Sequence, residues 1–263
     1  MLHSCRLPEG ESLLERLEKM VRPFLLARFL GDGTRVVAGL QYHLCGTQDT
    51  TELAELAGIR QDDHVLDVCC FIGRPAMQMA STTGCRVIGV DIAENVIAVA
   101  NRIAEVAELD DLVTFTVADA IQLPFPDGTF TVVWNQCSLE HRMTWLIEFD
   151  RVLRPGGRLA LTFEIKKHAT DPDTSRCRWN LDELSGIIAR MGYTVMHADD
   201  ITQRDVESGW KVLDRRLLEQ REVYAAVLGE SWVNQIHQQF LKDMAAMAAG
   251  HPGTGRLIAQ KSA

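Results

Sequence analysis

Six short apolar runs separated by helical stretches constrain this chain more than any other feature of its sequence. The runs are His64–Cys69, Arg86–Asp91, Val113–Val117, Thr131–Asn135, Arg158–Glu164 and Tyr193–Ala198. Between them, Pro75–Thr82, Glu94–Ala107, Met143–Leu153 and Asn180–Met191 carry helical periodicity, and Thr50–Ala57 precedes the first run and ends at Gly58. Strands that are apolar on both faces and alternate with helices of about ten residues predict a doubly wound, mostly parallel sheet. Arg154-Pro155-Gly156-Gly157 reads as a turn closing the fourth of these helices.

Both ends of the chain depart from this rhythm. Residues 11–31 have helical spacing interrupted by Pro23, and Asp205–Ala249 is helical throughout. His251-Pro252-Gly253-Thr254-Gly255 then breaks the helices, and Arg256–Lys261 reads as a last strand. The expected organisation is a helical lid segment over 1–50, a core over 51–204, a helical cap over 205–250 and a final core strand within 251–263. In such folds ligands bind outside the carboxyl ends of the strands, and the two helical additions are placed to roof that edge.

Composition narrows the partner. The formal charge is −9, which argues against a nucleic-acid backbone and against an anionic membrane surface. No apolar stretch is long enough to span a bilayer, and the charged N-terminus is unlike a secretion signal. The seven cysteines show no C-x-x-C pair, so no metal site is expected, and a reduced, cytoplasmic setting is the simple reading. A small molecule is the default partner, with the chain a monomer or homodimer.

The strand ends supply the candidate chemistry. The first ends in Asp67-Val68-Cys69-Cys70-Phe71-Ile72-Gly73, and the second ends in Asp91, 24 positions after Asp67. An acid at that distance can accept from a ribose diol. The third ends in Ala118-Asp119-Ala120, where a carboxylate and the next N–H can read an adenine edge, and the fourth ends in Asn135-Gln136. Together these describe a nucleoside pocket.

These stretches resemble the class I S-adenosylmethionine (SAM)-dependent methyltransferases. The resemblance is carried by His64–Val68, Val87–Ile92, Ala118–Phe130 and Val152–Leu159 and covers residues of about 40–165. The run Leu123–Phe130 is the most specific part. Gln41–Gly46, Gly73–Ala76, Asn135–His141 and Gly253–Leu257 are similar to small-molecule N-methyltransferases of the glycine/sarcosine type, with a type 11-like methyltransferase domain.

The resemblance implies a Rossmann-like, seven-stranded sheet with an antiparallel last strand and a helical cap. It also implies SAM as cofactor. Asp67 and the Cys69–Gly73 backbone would hold its methionine part. Asp91 would take the ribose, Ile92 would pack on adenine, and Asp119 with Ala120 would read the adenine edge. Gln136 would contact the methionine part, Gln41 and His43 would close over its carboxylate, and His141 would face the acceptor, an amine nitrogen, as base or orienter. Thiol, oxygen or carbon acceptors, and a non-catalytic SAM-fold subunit, are the alternatives. The family's loop has glycine at the positions of Cys69, Phe71 and Gly73, and here only Gly73 is one. A cysteine at 69 fits an extended φ, whereas a phenylalanine at 71 must turn its ring from the cofactor or reshape the site.

Overall fold

The computed structural model describes residues 43–168 and 170–263. The helical reading of 11–31, Gln41 and nearly all of the 1–50 lid segment lie outside these residues. Seven strands form one sheet in the order β3-β2-β1-β4-β5-β7-β6. They are β1 (His64–Val68), β2 (Arg86–Asp91), β3 (Val113–Val117), β4 (Phe130–Gln136), β5 (Leu153–Ile165), β6 (Tyr193–Asp200) and β7 (Gly253–Lys261). Pairing is parallel from β3 to β5, and β7 runs antiparallel to both β5 and β6. This is the doubly wound, mostly parallel sheet that the strand pattern predicts, with the antiparallel last strand that the resemblance implies.

Side-chain alternation sorts the core into two layers. Val65, Val132 and Trp134 face α1 (Gly46–Ala57), α2 (Arg74–Thr83) and α3 (Glu94–Val106). Leu66, Val133 and Leu161 face α4 (Met143–Val152) and α5 (Leu181–Arg190). Trp134, Phe130 and Phe149 are fully buried. Gly58 ends α1 in the left-handed region, and its N–H reaches back to the last turn, as its place in the sequence predicts.

Several strand ends shift from the sequence reading, and two of the differences have a local cause. β1 stops at Val68 because Cys69 adopts φ 61°, which leaves the extended region. The expected turn Arg154–Gly157 lies inside β5. Leu153 pairs with Phe130 and pairing resumes at Arg158 with Val132, so the Pro-Gly-Gly segment bulges out of a continuous edge.

Between β6 and β7 the chain is helical, in five pieces. These are α6 (Thr202–Arg204), a π-helical turn (Asp205–Trp210), α7 (Lys211–Glu219) and α8 (Arg221–Leu228), followed by the long α9 (Glu230–Ala248). Leu213, Leu217, Tyr224, Val233, Ile236 and Phe240 give this insertion a core of its own, against which Leu44 packs. Among the described residues no helix is long and apolar enough to cross a membrane.

The β1–β2–β3 side relies on one tight fit. Phe115 of β3 passes so close under Gly89 of β2 that a Cβ there would lie 2.4 Å from its ring and 2.9 Å from Cys70 Sγ. Overpacking of a filled core costs about 1–3 kcal/mol. Gly89→Ala should therefore lower the unfolding free energy by that amount in a urea titration, and Gly89→Ala combined with Phe115→Leu should recover part of it.

Candidate active site

The strand order reverses at β1, whose neighbours are β2 and β4. The connections from β1 and β4 leave toward opposite faces, so a crevice opens at their carboxyl ends. Of the sequence-predicted residues, His43, Asp67, Cys69 and Gln136 line a cleft there, and Asp91 stands beside it at the end of β2.

Asp67 is 2% exposed, and its Oδ2 has no hydrogen-bond partner among the described residues. Burial, and then the charge of Asp91, push its carboxyl well above the usual carboxylate range. Asp91 faces it from β2. Its Oδ2 accepts from the Phe71 N–H at 3.1 Å and its Oδ1 from the Ala93 N–H at 3.0 Å, so lone pairs remain for a diol. Ile92 beside it is 70% exposed, a flat apolar shelf at the strand end. Asp119 is exposed, with Oδ1 accepting from the Ile121 N–H at 3.1 Å, and Ala120 behind it is buried.

The loop between Asp67 and α2 is held in an unusual backbone path. Cys69 (φ 61°), Phe71 (φ 52°) and Gly73 (φ 74°) all occupy the left-handed region. The extended φ expected for Cys69 is thus corrected: the turn needs the glycine conformation whatever side chain sits there. For a non-glycine residue that conformation costs of order 1–3 kcal/mol, and strain of this size collects at functional loops. Phe71 packs its ring against the α1–α3 core layer while its edge lines a small cleft of about 50 Å³ with Asp67, Cys69 and Gln136. Burial pushes the Cys69 thiol up to about 12, so it is a neutral thiol at physiological pH.

His43 closes this cleft and also lines the next one. Its Nε2 lies 3.3 Å from Thr50 Oγ1 and its Nδ1 3.3 Å from the Leu44 carbonyl, and burial lowers its pKa. Gln136 is 8% exposed, and its side chain is occupied by α1. Its Nε2 donates to Asp49 at 2.6 Å and its Oε1 accepts from Thr50 at 3.2 Å. One further N–H and one further lone pair of its amide, together with its backbone, remain for a ligand in the cleft.

His141 stands apart from this group. It is fully buried, and its Nδ1 accepts the N–H groups of Arg178 and Trp179, each at 3.0 Å. Its ring stacks on Trp179 at 5.0 Å, and burial brings its pKa down to about 4. It lines none of the cavities described here. In this arrangement the ring braces the 178–179 backbone.

A larger cavity of about 270 Å³ adjoins the cleft through His43 and Cys137 and lies under the helical insertion. Phe163, Trp210 and Met247 form apolar walls, while Glu164, Asp205 and Asp243 bring carboxylates to it and Arg176 a guanidinium. The insertion is tied down by charge. Arg204 donates to Asp49 at 2.5 Å, to Asp205 at 2.6 Å and to Glu52 at 2.8 Å. Arg256 of β7 reaches the same Glu52 at 3.1 Å. These contacts join α1, the insertion and β7 above the crevice. Sequence reasoning missed Asp205 and Trp210, because a π-turn follows neither of the periods that mark helices and strands, and Arg204, because its partners Asp49 and Glu52 lie far away in the sequence.

Comparison with known proteins agrees with the geometry. Residues 66–161 match the family described as a methyltransferase domain. A 27-O-demethylrifamycin SV methyltransferase from Amycolatopsis mediterranei is 35% identical over 184 residues, covering 64% of this chain and 68% of that protein. A sterol 24-C-methyltransferase from Kluyveromyces lactis is 28% identical, covering 60% of this chain and 47% of that one. The fold is shared with the Haemonchus contortus phosphoethanolamine N-methyltransferase 2 in complex with phosphomonomethylethanolamine and S-adenosylhomocysteine. That structure has a TM-score of 0.79 at 21% identity and covers 92% of this chain and 61% of that one.

The buried Asp67 makes a testable demand on the ligand-free chain. Its native pKa is raised, so the folded state holds this proton to higher pH than the unfolded chain does. Its contribution to stability therefore falls as pH rises from about 4, the unfolded value, through the native pKa. Asp67→Asn should melt above the wild type at pH 8, and the difference should vanish near pH 4. Relief of about 1 kcal/mol corresponds to about 2–4 °C in a chain of this size. A variant that melts lower at pH 8 contradicts the assignment.

Proposed function

We propose, from the premise that this chain belongs to the SAM-dependent methyltransferases, that it methylates a small acceptor through an amine nitrogen. The observation that carries this reading is the acidic crevice joined to a cavity whose lining has more carboxylates than cations. The crevice fits the cofactor. Asp67, buried with an orphaned oxygen, is matched to the ammonium of the methionine part, with the Cys69–Gly73 backbone around it. Asp91 would accept the ribose hydroxyls, Ile92 would cover one adenine face, and Asp119 with the Ala120 N–H would take the adenine edge. His43 would close the methionine end together with the segment that carries Gln41.

When bound, SAM supplies a methyl group already activated by its sulfonium charge, so the protein's part is proximity and alignment. The left-handed loop brings main chain close to the cofactor, and the α1–insertion ion network excludes water from above. At the acceptor cavity Glu164 is already paired with Arg176 at 3.2 Å and Asp205 with Arg204 at 2.6 Å, which leaves Asp243 without an ion-pair partner among the described residues. Burial raises the pKa of Asp243, so it gains from a cation or a donor beside it. An acceptor with an ammonium or N–H group meets that need, and an anionic one is disfavoured. The Trp210 indole N–H, buried without a partner among the described residues, offers one donor to the acceptor. An oxygen acceptor is the second reading, favoured by the name of the 35% identical relative.

Calorimetry with SAM, followed by methyl transfer to a panel of amines, alcohols and carboxylates, separates these readings. Binding with turnover on amines is the expected result, turnover confined to alcohols supports the second reading, and no heat with SAM removes both. Asp91→Asn should weaken SAM about 10- to 100-fold, the equivalent of a charge-assisted hydrogen bond worth about 1.5–3 kcal/mol. His141→Ala should instead act through the fold. Leaving the Arg178 and Trp179 N–H groups unpaired should cost about 1–3 kcal/mol in a denaturant titration, with little change in SAM affinity.

A further inference from the structure

The turn into β7 places His251 in the wall of the 270 Å³ cavity and of a second, adjoining cavity of about 190 Å³. Its Nδ1 lies 2.5 Å from Asp171 Oδ1. Asp171 is itself fixed in direction, because its Oδ2 accepts the N–H groups of His168 at 2.8 Å and Lys167 at 3.1 Å. Donation from the His168 N–H leads the causes that hold its carboxyl below the usual carboxylate range. An ionised carboxylate can only accept, so Nδ1 is the donor, and the neutral ring carries its lone pair on Nε2. That nitrogen has no hydrogen-bond partner among the described residues, and the side chain is 49% exposed.

The other histidines near the site lack this arrangement. His141 is buried and its Nδ1 is committed to two backbone N–H groups. His43 has both nitrogens 3.3 Å from polar groups. His168 lies against His251 with ring centroids 4.7 Å apart, and its Nε2 is 3.0 Å from the Ala249 carbonyl. A carboxylate-held imidazole with a free nitrogen, on a residue that lines two cavities, is the arrangement of a general base.

We propose that His251 is the general base of the acceptor site and that Asp171 is its positioning residue. The proposal rests on the methyltransferase reading above. An acceptor that enters as an ammonium gives one proton to His251 Nε2 and is left with a lone pair on nitrogen. The nitrogen–methyl bond then forms as the methyl–sulfur bond breaks, with the electron pair of the broken bond kept by sulfur. The imidazolium is stabilised by Asp171 and returns its proton to solvent at the exposed side of the ring. Glu164, which lines both cavities with His251, and Asp205 and Asp243 of the insertion also face this charge favourably. Arg176 and the His168 ring are the opposing groups.

The test uses the whole chain labelled with nitrogen-15 at histidine, its signals assigned with His251→Gln, and methyl transfer scored on the same preparations. A neutral His251 protonated on Nδ1 is expected, moving to Nε2 in Asp171→Asn. His251→Gln should lower turnover about 100-fold or more with SAM affinity within about twofold. Asp171→Asn should move the acid limb of the pH–rate profile to lower pH, since the imidazolium loses its partner. A neutral wild-type ring protonated on Nε2, or a His251→Gln turnover within about threefold of wild type, overturns the proposal. No heat with SAM sinks the methyltransferase reading itself, whereas SAM binding with an Nε2 proton sinks only the base.

Discussion

A strand whose two neighbours send their connections to opposite faces cannot have both connections cover its carboxyl end. In this chain that strand is β1, between β2 and β4, and the whole candidate site depends on the gap it leaves. The gap draws Asp67, the left-handed loop and Asp91 to one line without any contact between distant parts of the sequence. It also leaves Asp67 in a costly position. A carboxyl that is 2% exposed, with one oxygen orphaned and Asp91 facing it, is destabilising unless something cationic arrives. Cys69, Phe71 and, at the end of β4, Cys137 add backbone strain in the same place. The sheet on both sides of β1 is tightly packed and supplies the stability that offsets these local costs.

The roof over that gap is held by a different kind of interaction. Arg204 sits among Asp49, Glu52 and Asp205, and Glu52 also holds Arg256. Buried ion pairs contribute less net stability than their Coulomb energy implies, because both partners lose water. Their geometric demand is stricter than that of apolar contacts, however, and they set how α1 and the insertion sit relative to β4 and β7. Gln136, at the end of β4, is bonded to Asp49 in the same network. The two cavities therefore share one polar connection, with His43 and Cys137 at the boundary between them.

The sheet was legible in the sequence because its signal is local. Strands apolar on both faces announce themselves, and β2 (Arg86–Asp91) and β3 (Val113–Val117) have the ends that the pattern predicts. The misreadings come from places where backbone path and residue type disagree. Cys69 takes a glycine conformation without being glycine, and Pro155-Gly156-Gly157 bulges inside a strand that continues past it. The π-turn at Asp205–Trp210 hides in a stretch that reads as ordinary helix. The burial of His141 against the 178–179 backbone is likewise not written along the chain.

By itself the sequence determined the sheet, because its strands follow from a pattern a few residues long, and with it the acids that stand at the strand ends. Only the tertiary structure decided which residues meet over the crevice. Arg204 with Asp49, and His251 with Asp171, are separated by 155 and 80 positions, and no periodicity spans such distances. Whether a histidine is a buried brace or a solvent-facing base depends on what packs around it, which is a property of the folded layers and not of the local sequence.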